Sequence, residues 1–245
     1  MKKILVVVDM QNDFIDGPLG TPEARAIVDS VCAKIREGEW KYVFTTHDTH
    51  KENYLETQEG KKLPIEHCRE WTSGWGLNEK IISALTSDST PLYMCHKDTF
   101  GSLSLVNKIG YYLAEHHWLK QSDIELTLIG VCTDICVISN ALLLKAHYPE
   151  MKIVVDAACC AGSSPEKHRM ALEVMKSCQV DVENMPEDWV MLSDISEEKM
   201  DKILDVMDNY SPELCKYKSY AAGVRDTNCR EDCDMDCPYE EAENV

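Results

Sequence analysis

At 245 residues, with 44% hydrophobic and 28% charged, the chain has the size and composition of a soluble globular protein able to bury a full core. Its net charge of −18 argues against a nucleic-acid or anionic-membrane surface, either of which needs a basic patch. No apolar run nears the roughly 20 residues of a membrane span.

Chain order begins with Met1-Lys2-Lys3 and the apolar run Ile4–Val8, too short for a signal peptide and interrupted by Asp9. A cytoplasmic protein is expected, its twelve cysteines reduced and mostly buried as small hydrophobes. Ile4–Val8 does not alternate, so it predicts a strand covered on both faces. Thr21-Pro22-Glu23 supplies a cap, a first-turn proline and an early acid, predicting a helix to about Glu37. Strands follow at Tyr42–Thr45, Leu92–Met94, Leu126–Ile129, Ile153–Val155 and, more weakly, Gln179–Val182. Helices are expected at Leu77–Thr86, Ser102–Trp118, Thr133–His147 and from Ser164-Pro165-Glu166 to about Ser177. The long segment Thr45–Gly76 lacks periodicity and is rich in His, Asp, Trp and Gly, which marks a functional loop.

Strands alternating with helices imply βαβ units and a three-layer α/β domain over residues 1–185, built on a six-stranded, mostly parallel sheet. Residues 186–245 read as an acidic extension, with 17 acidic against six basic residues and one helix at Ser196–Asn209. Cys229, Cys233 and Cys237 are spaced by four there. On a helix they would form one stripe ending at Pro238, and packing or disorder accounts for them better than metal binding.

In open parallel sheets, ligands bind beyond the carboxyl ends of the strands. Asp9 ends the first strand; Asp48 and His50 follow the second, Lys97 the third and Cys136 the fourth. If Thr133 caps the following helix, Cys136 lies in its first turn, where the helix end favours thiolate. By position alone, a nucleophile and a buried structural cysteine fit equally. A carboxylate at Asp9 is costly unless paired or functional, and Lys97 is a plausible partner. A structural ion pair would, on its own, be the commoner reading. Asp48, His50 and His67 offer one carboxylate and two imidazoles, a donor set suited to Zn, Mn or Fe(II) with positions left open.

Together these motifs resemble the nicotinamidase branch of the isochorismatase-like cysteine hydrolases. The resemblance covers residues 3–182 and rests on Asp9-Met10-Gln11-Asn12-Asp13-Phe14, Lys97-Asp98-Thr99-Phe100-Gly101 and Gly130-Val131-Cys132-Thr133-Asp134-Ile135-Cys136-Val137. It implies a catalytic triad of Asp9, Lys97 and Cys136 and metal ligands Asp48, His50 and His67 for one divalent ion, zinc before manganese or iron. It further implies a cis peptide before Cys132, an oxyanion hole from the backbone N–H groups of Cys132 and Cys136, and ring contact by Phe14. The implied reaction is hydrolysis of nicotinamide to nicotinate and ammonia through a cysteine thioester, a step of NAD salvage. A homo-oligomer, dimer or tetramer, is expected. Two positions depart from the pattern: Pro64 stands where many such enzymes have tryptophan, and Glu56 where some have a further histidine ligand. Trp71 and Trp75 are nearby aromatic alternatives.

Two other readings compete. A relative acting on a carbamoyl or ureido compound would keep the triad but commonly lacks the Asp and His metal set. A non-catalytic binding module would not need all three triad residue types at strand ends.

Overall fold

The first strand, β1 (Lys2–Val8), is the centre of the molecule: Ile4, Leu5, Val6, Val7 and Val8 are all fully buried. On one side it pairs with β2 (Tyr42–Asp48), which pairs with β3 (Leu92–Lys97). On the other it pairs with β4 (Ile124–Val131), followed by β5 (Lys152–Ala161) and β6 (Asp181–Glu183). All pairs are parallel and the order is β3-β2-β1-β4-β5-β6. This is a computed structural model, and it describes residues 1–116 and 120–186. The chain divides into two units, Met1–Glu187 and Asp188–Val245. The expected helix at Ser196–Asn209, Cys229, Cys233 and Cys237 lie outside the described residues, as does the expected helix end at Trp118.

The helices in chain order are α1 (Asn12–Ile15), α2 (Pro22–Ala26), α3 (Val28–Glu37), α4 (Gln58–Lys62), α5 (Glu79–Leu85), α6 (Leu103–Glu115), α7 (Ile138–His147) and α8 (Pro165–Ser177). Their starts follow the expected chemistry. Thr21, Asn78, Ser102 and Ser164 each accept a backbone N–H of the first turn through the side-chain oxygen. The helix expected from Thr21 to Glu37 is interrupted at Ile27. α3 and α5 pack together on one face, over Leu5, Val7, Val43 and Ile129. α6, α7 and α8 are associated with the other, making three layers. Among the described residues, no helix is long and apolar enough to cross a membrane.

The first five strands run further than their apolar patterns suggest. β2 and β3 each extend three residues, so Asp48 and Lys97 are the last residues of strands and face each other in register. Of the extra residues, Thr46, His47, Asp48 and Lys97 are polar yet buried at the sheet edge where the site lies, so burial here does not require apolar side chains. Gly130 permits a close crossing of β4 and β1: with φ 119°, a Cβ there would stand 2.1 Å from the carbonyl oxygen of Val8.

Candidate active site and metal centre

At the carboxyl ends of β1, β2, β3 and β4, the structure gathers the residues that the sequence scattered. Asp9 follows β1 in the left-handed region (φ 48°) and is fully buried. Its Oδ1 accepts a hydrogen bond from Thr46 Oγ1 at 2.7 Å, and its Oδ2 lies 2.7 Å from Lys97 Nζ. The same ammonium is 3.2 Å from Asp48 Oδ1 and 3.5 Å from Cys136 Sγ. Lys97 therefore touches the carboxylate, the thiol and the first metal-type ligand at once.

Cys136 sits in a single wide turn of π-helix, Thr133–Val137, that leads into α7. Cys132, not Thr133, is the residue at the helix start; Thr133 Oγ1 is instead 2.6 Å from His168 Nδ1. Here the sequence expectation needs correction. Burial dominates the thiol and pushes its pKa well up, Asp9 and Asp48 add to that, and Lys97 only opposes it. This shift runs against the thiolate expected from the helix end. Cys132 is pushed up to about 12, first by burial and then by Asp134 and Asp9. Lys97 is held well above its usual value: burial opposes its charge, but Asp9, Cys136 and Asp48 overcome this. Asp9 is itself raised by burial, with Lys97 pulling back. Geometry makes Asp9 and Lys97 a buried ion pair with the Cys136 sulfur beside the ammonium.

The metal-type residues meet as expected. The ligand atoms of Asp48, His50 and His67 all lie within 4.8 Å of one another and are buried. Asp48 Oδ2 is 2.8 Å from His50 Nε2 and 3.4 Å from His67 Nε2. The first contact is short yet off the line of a hydrogen bond, leaving His50 Nε2 an orphaned buried atom. His67 Nδ1 lies 2.8 Å from the Ile65 carbonyl, an arrangement that donates N–H there and turns the Nε2 lone pair toward Asp48. Two ligands at about 2.1 Å from a tetrahedral ion stand about 3.4 Å apart, the spacing seen for Asp48 and His67. The donor set fits one divalent ion. Burial alone would raise the Asp48 carboxyl, but the adjacent His50 and His67 imidazoles, with Lys97, hold it well below the usual range.

Several participants were not anticipated from the sequence. Glu56, at the position where some relatives carry a histidine, is exposed. Three residues later, on α4, Glu59 Oε1 lies 3.9 Å from His50 Nε2 and 4.0 Å from His67 Nε2. Thr57 caps α4 by accepting the Gly60 N–H, a signal that could have revealed this helix. Buried Tyr54 packs on both imidazoles, at 4.5 and 5.1 Å between ring centroids, and its hydroxyl donates to the Leu63 carbonyl.

The Gln-Asn-Asp run after Asp9 is an anchor for the long loop. Gln11 Oε1 accepts the Asp48 N–H at 2.7 Å, and Gln11 Nε2 donates to the carbonyls of Asp48 and Trp75. Asn12 Nδ2 donates to the Ser73 carbonyl, and Asp13 Oδ2 accepts the Cys68 N–H at 2.7 Å. Phe14 follows and lines the cavity, its ring 5.6 Å from His67.

Cys132, Cys136, Asp48, His50, His67 and Phe14 all line one cavity of about 1010 Å³. Trp71 and Trp75 do not: Trp71 is 80% exposed, and Trp75 Nε1 donates to Oγ1 of Thr49, a residue of the cavity wall. The Val131–Cys132 peptide is cis, at the position the resemblance implied. The profile of the isochorismatase domain matches residues 3–187.

The chain belongs to the isochorismatase family. It is 30% identical over 191 residues to the isochorismatase family protein PncA of Bacillus subtilis, covering 70% of this chain and 93% of that one. It is 21% identical to the nicotinamidase of Saccharomyces cerevisiae, over 74% of this chain and 98% of that one. Among solved structures it resembles nicotinamidase PncA of Bacillus subtilis with a TM-score of 0.60 and 26% identity, covering 75% of this chain and all of that one. It is a nicotinamidase-like member of the family.

Proposed function

We propose that this amidohydrolase converts nicotinamide to nicotinate and ammonia, with Asp9, Lys97 and Cys136 as catalytic residues and Asp48, His50 and His67 holding one divalent ion. The observation that carries the reading is Lys97 Nζ, in contact with Asp9, Asp48 and Cys136 together. It joins the nucleophile and the metal ligands at one cavity.

Each residue has a task. As the Cys136 sulfur attacks the amide carbonyl carbon, Asp9 takes the thiol proton; its raised pKa makes it a stronger base than a free carboxylate. Lys97 keeps Asp9 ionised and offsets the growing negative charge. The backbone N–H groups of Cys132 and Cys136 hold the tetrahedral oxyanion. Asp9 then gives its proton to the departing nitrogen, and ammonia leaves a Cys136 thioester. Water, deprotonated by Asp9, hydrolyses the thioester and returns the thiol. Phe14 bounds the ring.

A divalent ion at Asp48, His50 and His67, zinc before manganese or iron, supplies a Lewis acid for the pyridine nitrogen. The protein's part would be to hold the ring nitrogen at that anchor while the carboxamide on the ring's 3-position reaches Cys136. Such positioning is worth several kcal/mol of barrier. The ligand set also disfavours the carbamoyl or ureido reading, which has no ring nitrogen to hold. We further assign catalysis to residues 1–185 and regard the acidic extension from 186 as an appendage.

The test is ammonia release from nicotinamide and from benzamide, each before and after chelation. Nicotinamide should be the good substrate only with metal, and benzamide poor throughout. Full-rate nicotinamide hydrolysis by metal-free protein would overturn the metal assignment and the substrate choice that depends on it.

A further inference from the structure

Asn140 lies one turn beyond Cys136 on α7 and is fully buried. A buried carboxamide is costly unless its groups are hydrogen-bonded. Asn140 makes three bonds, and all of them lead to the active site. Its Oδ1 accepts the Ser102 N–H at 2.9 Å, and its Nδ2 donates to the carbonyls of Phe100 at 3.2 Å and Cys136 at 2.7 Å. The two segments it joins are the one carrying Lys97 at the end of β3 and the turn carrying the thiol.

The surroundings support a built spacer. A Cβ at Gly101 would stand 3.4 Å from the Ser139 carbonyl oxygen and 3.4 Å from Leu143 Cδ2, so the Lys97–Ser102 segment lies close against α7. Ser102 begins α6, its hydroxyl accepting the Leu105 N–H. Phe100, between the two, lines the cavity.

We propose that Asn140 is a positioning residue: its carboxamide fixes the distance between the Lys97 strand end and the Cys136 turn, and so aligns thiol, ammonium and cavity wall. The kinetic part of this proposal rests on the nicotinamidase reading; the alignment part does not. A misplacement of about 1 Å can cost about 100-fold in rate.

The experiment compares Asn140→Asp and Asn140→Ala with Tyr148→Phe. Asn140→Asp keeps the shape and the acceptor for Ser102 but turns an oxygen toward two carbonyls. Tyr148→Phe removes another buried bond close to α7, from the Tyr148 hydroxyl to the Val106 carbonyl, away from the triad. Ammonia release from nicotinamide gives kcat and KM. Pyridine-3-carbaldehyde gives a second reading without turnover: the Cys136 S–C bond forms, and the thiol proton passes to the former carbonyl oxygen, with no redox partner.

Both Asn140 variants should lose 10- to 100-fold in kcat with KM within threefold, and bind the aldehyde at least tenfold more weakly. Tyr148→Phe should lower Tm while keeping kcat within twofold. Folded Asn140→Asp with kcat and aldehyde affinity within twofold of wild type would overturn the proposal. So would an equal kcat loss in Tyr148→Phe at the same fall in Tm. Wild-type protein that binds the aldehyde but releases no ammonia from nicotinamide would sink the substrate assignment. Asn140 would then be judged on aldehyde affinity alone.

Discussion

The two sides of the cavity are held in place by different means. On the triad side, Asp9, Lys97 and Cys136 stand at or just beyond the ends of β1, β3 and β4, and the sheet's backbone ladder sets their spacing. On the metal side only Asp48 is on a strand. His50, Glu59 and His67 ride on the connection between β2 and α5, anchored by the side chains of Gln11, Asn12, Asp13 and Tyr54. The groups proposed to break the bond are thus fixed by the fold, while those proposed to choose the substrate are fixed by a few side-chain hydrogen bonds. Changes on the first side should remove chemistry; changes on the second should remove selectivity and metal first.

The largest effect is expected at Cys136→Ala: ammonia release falls to background, a loss of at least about 10⁴-fold, with Tm nearly unchanged. Turnover surviving within tenfold would mean another nucleophile. The raised thiol adds a contrast with the exposed Cys178. Among the described cysteines, iodoacetamide near neutral pH should modify Cys178 before Cys136, read by mass mapping. Rapid labelling of Cys136 would restore the resting thiolate that the helix position suggested.

Next comes His50→Ala, which removes one proposed ligand while leaving Asp9, Lys97 and Cys136 in place. Nicotinamide kcat/KM should fall roughly 100-fold or more, with affinity for the aldehyde reagent much less affected. Equal losses in both would merge the two sides of the cavity into one unit.

Gln11→Leu probes the anchoring itself. It deletes two hydrogen bonds to the Asp48 backbone and one to Trp75, and leaves the Asp48 N–H buried without its partner. A stability cost of about 1–3 kcal/mol is expected, with metal affinity lowered about tenfold. Unchanged metal affinity in a folded variant would mean that the strand end alone positions Asp48.

How far the sequence could be read follows the same division. Ile4–Val8 and the carboxylate after it were legible because a charge ending a buried apolar run is costly unless it is paired or reactive. Lys97 and Cys136 were legible as strand-end residues, although β2 and β3 run three residues longer than their apolar patterns. The thiol's shift runs opposite to the helix-end expectation because that effect is small beside full burial next to two carboxylates. Gln11 and Asn140 carry no periodic signal: a buried amide cannot be told from an exposed one until its partners are in place. Glu59 was hidden because a five-residue helix inside a polar loop leaves almost no pattern.

Glu59 gives the smallest and most discriminating test. Its carboxylate points at both imidazoles but stands 3.9 and 4.0 Å from them, about half an ångström beyond the spacing of two ligands on one tetrahedral ion. It is only partly buried, so it can shift inward or act from outside through its charge. In either case Glu59→Gln removes one negative charge from a site whose other formal charge is Asp48, while keeping the side chain's length. Groups in such supporting positions typically change metal affinity by 10- to 100-fold, and the partial exposure places Glu59 at the lower end. The expected result is about tenfold weaker metal binding in a chelator competition, with kcat at saturating metal within threefold of wild type. Unchanged affinity would make Glu59 a bystander. A large kcat loss at saturating metal would give it a role in proton transfer and move it from the selecting side of the cavity to the reacting side.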